Sequence, residues 1–347
     1  MKLPSRQVAG RLINRVRRKF ARRGVILMYH RIAELNNDPW GLAVSPAHFA
    51  EQLEVLHASR SVMPLNPFAS DLGTTDTPRQ PIVVTFDDGY GDNVDTAKPL
   101  LERYGIPAAI FLATGAIGSS REFWWDELER VLLDTRTLPD VLDLRGADWT
   151  YQRELDEPAH RDVTSARFRS WRAWETPPTA RHSIYSDLWK RLYALPQDAK
   201  RALLDELLEW AELKPLMRST YRPISVDEAR QLSRTTLIEC GAHTVTHPVL
   251  PNLSVQSQIE EIQRSKTFLE TTVGRPVTCF AYPHGKYDSN TMSAVRDAGF
   301  TIACTTAERL VSDRSDRLAL PRFQVLDWGG DEFQARLRSW RDEAQDG

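Results

Sequence analysis

The sequence predicts an α/β fold built on a parallel sheet, with a helical insertion that divides the strands of the sheet into two groups. Short, continuously apolar runs alternate with amphipathic segments of helical spacing, such as residues 254–273 and 289–298. Strands that are apolar along their whole length are typical of a parallel sheet covered by helices on both faces. Between residues 121 and 222 this alternation stops, and seven of the ten tryptophans fall in that stretch.

Six apolar runs of strand length are predicted to form the sheet. They cover residues 25–29, 81–86, 108–112, 236–240, 276–280 and 300–304. We assign residues 25–120 to the first half of the α/β unit, residues 223–330 to its second half, and residues 331–347 to a C-terminal helix or tail. The carboxyl ends of parallel strands lie at one edge of a sheet, so the polar residues that follow these runs are expected to converge there.

The interruption at residues 121–222 is predicted to be a Trp-rich helical insertion without strands. Residues 185–195 and 198–213 have helical composition and spacing. Most of its tryptophans are expected to form a small core of the insertion itself, because large aromatic side chains bury the most apolar area. Trp124 and Trp125 are the exceptions, and we predict that they contact the substrate.

The composition is that of a globular protein. The chain has 347 residues, of which 41% are hydrophobic and 27% charged, and its net charge is -2. This excludes the disordered, collagen-like and disulfide-scaffold classes, and no apolar run has the length of a membrane-spanning helix. Three cysteines without disulfide or zinc-finger spacing predict reduced thiols of an intracellular protein.

The first 24 residues differ in charge from the rest of the chain. They carry nine Lys or Arg and no acid, while the remaining residues number 36 basic against 47 acidic, a net charge of about -11. Apolar residues at helical spacing predict a basic amphipathic helix over residues 1–24. Two interpretations remain open: the helix contacts an anionic membrane surface, or it packs on the acidic body of the protein.

The same segment bears on location and partners. It lacks the apolar run of a secretory signal, so we expect a cytoplasmic protein, with peripheral contact at the inner face of the membrane as the extension of the first interpretation. Nucleic acid is not an expected partner, because the acidic body of the chain would repel phosphate.

Three polar motifs follow predicted strands. Asp87 and Asp88 are adjacent carboxylates that repel each other unless a cation or proton lies between them. His243 and His247 have the i, i+4 spacing that lets two imidazoles reach one ion. Residues 280–285 contain turn residues whose backbone N–H groups could face a developing negative charge.

The combination is more informative than its parts. Two imidazoles and one carboxylate are a common ligand set for catalytic zinc, which leaves one position open. A second carboxylate beside that set can act as general base. Asp-Asp-Gly alone is also a common turn sequence, and an isolated histidine pair also occurs on solvated surfaces.

The order of these motifs resembles the polysaccharide deacetylase family, also called the NodB-homology family or carbohydrate esterase family 4. The matching stretches are Thr-Phe-Asp-Asp-Gly at 85–89, His-Thr-Val-Thr-His at 243–247, Phe-Ala-Tyr-Pro-His-Gly at 280–285, Met-Tyr-His-Arg-Ile at 28–32 and Leu-Pro-Arg-Phe at 320–323. The resemblance spans residues 25–120 and 223–328. It implies a deformed (β/α) barrel and metal-dependent hydrolysis of N-acetyl groups on amino sugars.

The resemblance also implies roles for individual residues. Asp87 matches the catalytic base, and Asp88, His243 and His247 match the metal ligands. His284 occupies the position of a tyrosine whose backbone N–H forms the oxyanion hole. The implied cofactor is a divalent metal, for which we expect Zn²⁺, with Co²⁺ or Ni²⁺ as alternatives.

Two departures from the family pattern concern the catalytic groups. Ala281 replaces an arginine that orients the base, and Arg322 is the nearest substitute. The last motif lacks the histidine that acts as general acid, so His284, His30 or Asp87 itself must return a proton to the leaving amine. His284 is the first choice.

The expected substrate is an N-acetylated sugar of a glycan or of a lipid-linked glycan precursor. His30, Tyr282, Trp124 and Trp125 are the predicted substrate-binding residues. Two alternatives remain: a deformylase or other amide hydrolase acting on lipid-linked amino sugars, and a non-catalytic sugar-binding barrel. The second alternative is motivated by the missing arginine and histidine.

Overall fold

The computed structural model describes residues 23–72, 80–135, 137–146, 149–155 and 168–346, with side chains up to residue 341. The helix predicted over residues 1–24 therefore lies outside the described residues, except that Arg23 and Gly24 already belong to the first strand. Among the helices of the described ranges, none has the length and apolar composition needed to cross a membrane.

The described strands and helices alternate through most of the chain. The strands are β1 Arg23–Tyr29, β2 Arg31–Ile32, β3 Ala43–Val44, β4 Ile82–Phe86, β5 Ala108–Leu112, β6 Val141–Arg145, β7 Thr150–Glu154, β8 Ile238–Ala242, β9 Cys279–Ala281, β10 Ile302–Cys304, β11 Val311–Ser312 and β12 Phe323–Gln324. The α-helices are α1 Pro46–Ser59, α2 Leu65–Ser70, α3 Lys98–Tyr104, α4 Trp124–Glu129, α5 Ala180–Ala194, α6 Gln197–Trp210, α7 Val226–Leu232, α8 Val255–Val273, α9 Ser289–Asp297 and α10 Gly330–Asp346.

Eight of these strands form one curled sheet, a deformed (β/α) barrel. Its order is β10-β9-β8-β5-β4-β1-β11, and β12 also pairs with β1. The pairs from β10 to β1 are parallel, and β1 pairs antiparallel with β11. The segment 317–324 connects the two edges, because Leu320 bridges to Cys304 of β10 while Phe323 pairs with Leu27 of β1.

The alternation of side chains along the strands creates two apolar clusters. Leu27, Phe86 and Ile110 pack beneath the surrounding helices, in a cluster that also receives Phe333 and Leu337 of α10. Residues one position away in the strands point to the opposite face and pack with α2. These are Ile26, Val83, Ala109, Phe111, Cys279, Ala281 and Cys304. The three cysteines predicted as reduced thiols are free and buried.

The insertion has a core of its own, but it is not purely helical. Helices α4, α5 and α6 pack around a separate apolar cluster, and α4 continues as a π-helical segment Arg130–Asp134. Strands β6 and β7 form an antiparallel hairpin, so the prediction of an insertion without strands was wrong. The reason is visible in β6, where buried Leu142 and Leu144 alternate with exposed neighbours, as in a half-buried strand.

Candidate metal and catalytic site

The site lies at the carboxyl ends of the barrel strands. Met28 and Thr85 point to the same face as Ile26 and Val83, so the next residues with that orientation are His30 and Asp87, just after β1 and β4. His243 follows β8, and its backbone N–H donates to the carbonyl of Leu112 at the end of β5. Strand register therefore gathers side chains that are distant in sequence.

Three buried side chains place one ligand atom each around a common point. Asp88 Oδ1 lies 3.6 Å from His243 Nε2 and 3.5 Å from His247 Nε2, and the two Nε2 atoms are 3.1 Å apart. Ligand atoms bound to one tetrahedral ion at its usual bond lengths are about 3.3–3.6 Å apart. The three residues therefore fit a divalent cation. Among the described residues, no other group of three side chains drawn from His, Cys, Asp and Glu has such spacing.

The protonation of the set agrees with metal binding. His243 Nδ1 lies 2.8 Å from the carbonyl oxygen of Ala281, so Nδ1 carries the proton and the Nε2 lone pair faces Asp88. Burial lowers the pKa of both His243 and His247, which keeps the imidazoles neutral, the form that binds metals. Burial, with the charges of Asp87 and Asp126, raises the pKa of Asp88 well above its usual range. A cation would reverse that effect.

The ligand loops adopt backbone conformations that side chains other than glycine rarely occupy. The φ angles are 73° at Asp88, 65° at Thr244 and 55° at His247. Such positive angles cost about 1–3 kcal/mol each and concentrate at functional sites. Gly89 continues the turn at φ 86°, and a Cβ there would lie 2.7 Å from a methyl group of Leu112. The loop after β4 therefore requires glycine at this position.

Two side chains stabilise the loop between the histidines. Thr244 Oγ1 accepts a hydrogen bond of 3.1 Å from the backbone N–H of His247. Glu261, on α8, accepts three: from the backbone N–H groups of Val245 (2.8 Å) and Thr246 (2.9 Å), and from Thr246 Oγ1 (2.8 Å). The carboxylate thus secures the strained loop from outside the ligand set.

Asp87 is held by Arg322. The guanidinium donates two hydrogen bonds to the carboxylate, with lengths of 2.7 and 2.6 Å, and it also donates to the carbonyl of Thr305 and to Thr85 Oγ1. Burial by itself would raise the pKa of Asp87, but the Arg322 charge and hydrogen bonds outweigh burial and set it at about 2. Asp87 is therefore ionised at neutral pH.

These residues open into a cavity of about 520 Å³. Its lining residues are Met28, His30, Trp40, Leu42, Asp87, Asp88, Trp125, Trp189, Tyr193, His243, His247, His284, Thr306, Glu308 and Gln324. The volume lies within the range of small-molecule sites, and the mixture of aromatic walls and few polar groups is typical of them.

Two further histidines of the cavity are neutral. His284 has φ 55° and a buried Nε2 without a hydrogen-bond partner among the described residues. Burial, with the nearby Lys200 charge, lowers the pKa of His284 to about 3. Burial also lowers the pKa of His30, to about 4.

The structure brings together most of the site residues predicted from sequence, but not all. Asp87, Asp88, His243, His247, His284, Arg322, His30 and Trp125 lie at the cavity or in direct contact with its lining. Tyr282 instead lies in the core, where its hydroxyl donates to the carbonyl of Leu318. Trp124 is buried and does not line the cavity; its ring lies 5.4 Å from that of Trp125 and 5.7 Å from that of Trp189, which do.

Sequence reasoning missed other lining residues. Trp40 lies in the loop between β2 and β3, and Trp189 and Tyr193 lie on α5 of the insertion. The one available signal was their i, i+4 spacing on a predicted helix, which also fits a core face. Glu308 and Gln324 had no motif to mark them.

Comparison with known proteins agrees with this site. A sequence model described as polysaccharide deacetylase matches residues 74–135 and 214–303. A curated protein of Bacillus subtilis (strain 168), the putative polysaccharide deacetylase YxkH, is 30% identical over 142 residues. These two matches support the resemblance to the polysaccharide deacetylase family that the sequence motifs indicate. Residues 136–213 of this chain, which lie between the two matched segments, fall within the predicted insertion.

The sequence match to the curated relative covers a smaller share of this chain than the structural matches do. The match covers 39% of this chain and 48% of YxkH, so the chain spans about half the length of that curated relative. The Streptococcus pyogenes deacetylase PplD, solved in complex with acetate, has a TM-score of 0.56 and 17% identity, covering 91% of this chain and 98% of PplD. IcaB from Ammonifex degensii has a TM-score of 0.54 and 18% identity, covering 93% and 97%. These likenesses show the shared fold.

Proposed function

We propose that this protein is a metal-dependent hydrolase that removes N-acetyl groups from an amino sugar of a glycan or of a lipid-linked glycan precursor. The observation that carries the proposal is the cluster of Asp88, His243 and His247 beside the paired Asp87 and Arg322, at one end of a ligand-sized cavity. The match to the polysaccharide deacetylase sequence model supports the same reaction.

The metal ligands and the base have separate tasks. Zn²⁺ suits two imidazoles and a carboxylate, with Co²⁺ or Ni²⁺ as alternatives. A divalent cation held by Asp88, His243 and His247 would supply a Lewis acid that polarises the amide carbonyl and lowers the pKa of water. Asp87 accepts a proton from the attacking water, and Arg322 keeps the carboxylate oriented and ionised until then.

The remaining protein groups handle the leaving amine. The water oxygen forms a bond to the carbonyl carbon, the C–N bond then breaks, and the amine nitrogen takes up a proton, which leaves acetate and a free amine. Asp87 holds the proton taken from water and can return it. His284, whose ring centroid lies 4.5 Å from that of His247, can donate a hydrogen bond through the one N–H of its neutral ring, but it can give a proton to the amine only after it has first accepted one.

The membrane interpretation of residues 1–24 belongs to the same proposal. Their nine basic residues support contact with an anionic membrane surface, where a lipid-linked precursor would be found. Co-sedimentation of the full chain with phosphatidylserine-containing vesicles tests this, with phosphatidylcholine vesicles as the comparison. Equal binding to both vesicles would contradict an electrostatic contact.

The catalytic proposal predicts acetate release from N-acetylglucosamine oligosaccharides by the zinc-loaded protein. Asp87→Asn should lower kcat by about 10²–10⁴-fold, because the base is lost. His243→Ala and chelator treatment should remove both bound zinc, measured by elemental analysis, and activity. Asp297→Asn, an exposed aspartate on α9, is the matched control and should retain activity. Full activity in the Asp87→Asn, His243→Ala double variant would contradict the mechanism, and formate in place of acetate would favour the deformylase alternative.

A further inference from the structure

The catalytic cavity is bounded by a continuous band of aromatic rings. The ring of Trp40 lies 4.3 Å from that of Trp189, which stacks on Tyr193 at 5.0 Å and an interplanar angle of 22°. Tyr193 in turn lies 4.6 Å from the ring of His284. At the other end, Trp125 lies 5.1 Å from the ring of His247, one of the three metal-site residues. We call Trp40, Trp125, Trp189 and Tyr193 the aromatic wall.

The insertion contributes three of these four residues. Trp125 is the second residue of α4, while Trp189 and Tyr193 lie one turn apart on α5. The metal-site residues and the base all come from the two barrel halves on either side. The chemistry and the wall that faces it are therefore encoded in different parts of the chain.

The α5 residues of the wall lie at the border between the insertion core and the cavity, because Trp189 and Tyr193 pack against that core and also line the cavity. Leu188 and Leu192 are fully buried and fill that core. Trp189 and Tyr193 each follow one of them by a single residue, project toward the cavity and remain only half-buried. Trp124 and the buried ammonium of Lys200, 5.1 Å from the Trp124 ring centroid, support the wall from behind. The position of Trp189 and Tyr193 at the cavity is therefore suited to contact with a ligand.

The cavity also has a polar side. Gln324 donates its amide N–H groups to the backbone carbonyls of Gly41 (3.0 Å) and Trp40 (3.4 Å), which secures the Trp40 loop. Within the described part of the chain no donor is bonded to the amide oxygen, so this oxygen can accept from a ligand. The Glu308 carboxylate is exposed at the same cavity. A pyranose ring has a matching division, with apolar C–H faces and a hydroxyl-bearing edge.

We propose that the insertion is the sugar-recognition element of this protein. A pyranose ring stacks on Trp189 and Tyr193, turns its hydroxyls toward Glu308 and Gln324, and carries its amide substituent to the metal-site end of the cavity. This inference rests on the proposed deacetylase function for the identity of the sugar. It assigns substrate affinity to the insertion and bond breaking to the barrel.

The first test separates affinity from chemistry, with tetra-N-acetylchitotetraose as substrate for the zinc-loaded protein. Trp189→Ala and Tyr193→Ala should each raise KM about fivefold to tenfold, since an aromatic contact is lost, and change kcat less than threefold. Trp189→Phe, which keeps a ring, should restore most of the affinity. Lys190→Ala, an exposed position on the same helix, is the matched control and should leave both constants unchanged. An unchanged KM in both alanine variants would overturn the inference.

The second test does not depend on turnover. Calorimetric titration of the same tetrasaccharide into Asp87→Asn should detect binding, and Asp87→Asn combined with Trp189→Ala should bind at least fivefold more weakly. Circular dichroism melting confirms that each variant is folded. Binding that depends on Trp189 without hydrolysis by the wild-type protein would refute the deacetylase function and leave sugar recognition standing. Absence of binding, or binding that is indifferent to Trp189, would overturn the inference.

Discussion

Neighbouring carboxylates in this site are in opposite electrostatic environments. The Arg322 guanidinium keeps the pKa of Asp87 at about 2, whereas burial and the charge of Asp87 raise the pKa of Asp88. The positive φ at Asp88 turns its side chain away from Arg322 and toward the two histidines. One backbone turn thus gives two identical residues different environments, which suit the tasks proposed for them, ionised base for Asp87 and metal ligand for Asp88.

At the residue scale, Glu261 is predicted to control metal affinity without touching the metal. Glu261→Gln should weaken zinc binding about 10–100-fold, because the glutamine amide group cannot accept all three hydrogen bonds that hold the strained loop. Competition with a chromophoric chelator measures the Kd. Glu260→Gln, on the exposed side of α8, is the control and should bind zinc normally. A Kd within twofold of the wild-type value for Glu261→Gln would refute this role.

At the scale of elements, the end of the insertion is hydrogen-bonded directly to the loop that carries Asp87 and Asp88. The backbone N–H of Ile224 donates to the carbonyl of Gly89, and that of Gly91 donates to the carbonyl of Arg222. Helix α7 then begins with a capping box in which Ser225 and Glu228 bond reciprocally. Glu228 also accepts two hydrogen bonds from Arg222, at 2.8 and 2.7 Å. The capping box and the Arg222–Glu228 ion pair together fix the point at which the chain passes from the insertion back into the barrel.

This junction predicts a pH-dependent contribution to stability. The Arg222 hydrogen bonds lower the pKa of Glu228 to about 2 in the folded protein. Glu228→Gln should therefore reduce the free energy of unfolding by about 1–2 kcal/mol at pH 7. Because the folded pKa is depressed, the wild-type advantage is present above the unfolded pKa of about 4.3 and is lost as the pH falls toward 2.

Urea unfolding at pH 7 and pH 3 measures the effect of Glu228→Gln. Asp227→Asn is the neighbouring control, since its ion pair with Arg230 is 81% exposed on the aspartate side and should contribute little. A difference between Glu228→Gln and wild type that is equal at both pH values would show that the ionised carboxylate is not the cause.

At the scale of the whole molecule, stacked cations and rings join the barrel to the insertion. The Arg31 guanidinium of the barrel lies 4.2 Å from the ring centroid of Tyr90 and 4.5 Å from that of Tyr221. Arg218 covers the same Tyr221 ring at 3.4 Å and pairs with Glu122 and Glu129, both buried in the insertion. The barrel and the insertion are therefore joined by the stacking of both guanidinium groups on Tyr221, while Arg31 forms its ion pair with Asp92 of the barrel and Arg218 forms its pairs within the insertion.

Arg218→Met is predicted to destabilise the whole protein. It keeps much of the side-chain volume but leaves Glu122 and Glu129 as unpaired buried acids, and such a loss costs about 3–5 kcal/mol. Chemical unfolding monitored by circular dichroism measures the change. Arg145→Met is the control, because its ion pair with Asp143 is exposed, and it should alter stability by less than about 0.5 kcal/mol. Equal stability of the two variants would contradict a structural role for the buried network.

The strands and the candidate metal site were accessible from sequence because their signals are local. Strand β5 was predicted within its observed bounds, and β1 and β4 within two residues, since buried parallel strands are continuous apolar runs. The later strands β8, β9 and β10 were placed up to three residues early, where apolar character extends into the preceding turn. The β6–β7 hairpin was missed because half-buried strands alternate rather than run apolar.

The order of residues by itself determined the α/β class, the candidate ligands Asp88, His243 and His247, and the candidate base beside them, because each of these rests on nearby residues of distinctive chemistry. Only the tertiary structure decided that Arg322 reaches Asp87 across 235 residues of chain, and that Trp189 faces the cavity while Trp124 stands behind it. Those outcomes depend on how the closing segment crosses the barrel and on how α5 is rotated. Both are set by long-range packing. The presence of a tryptophan or an arginine at one position in the sequence does not predict that packing.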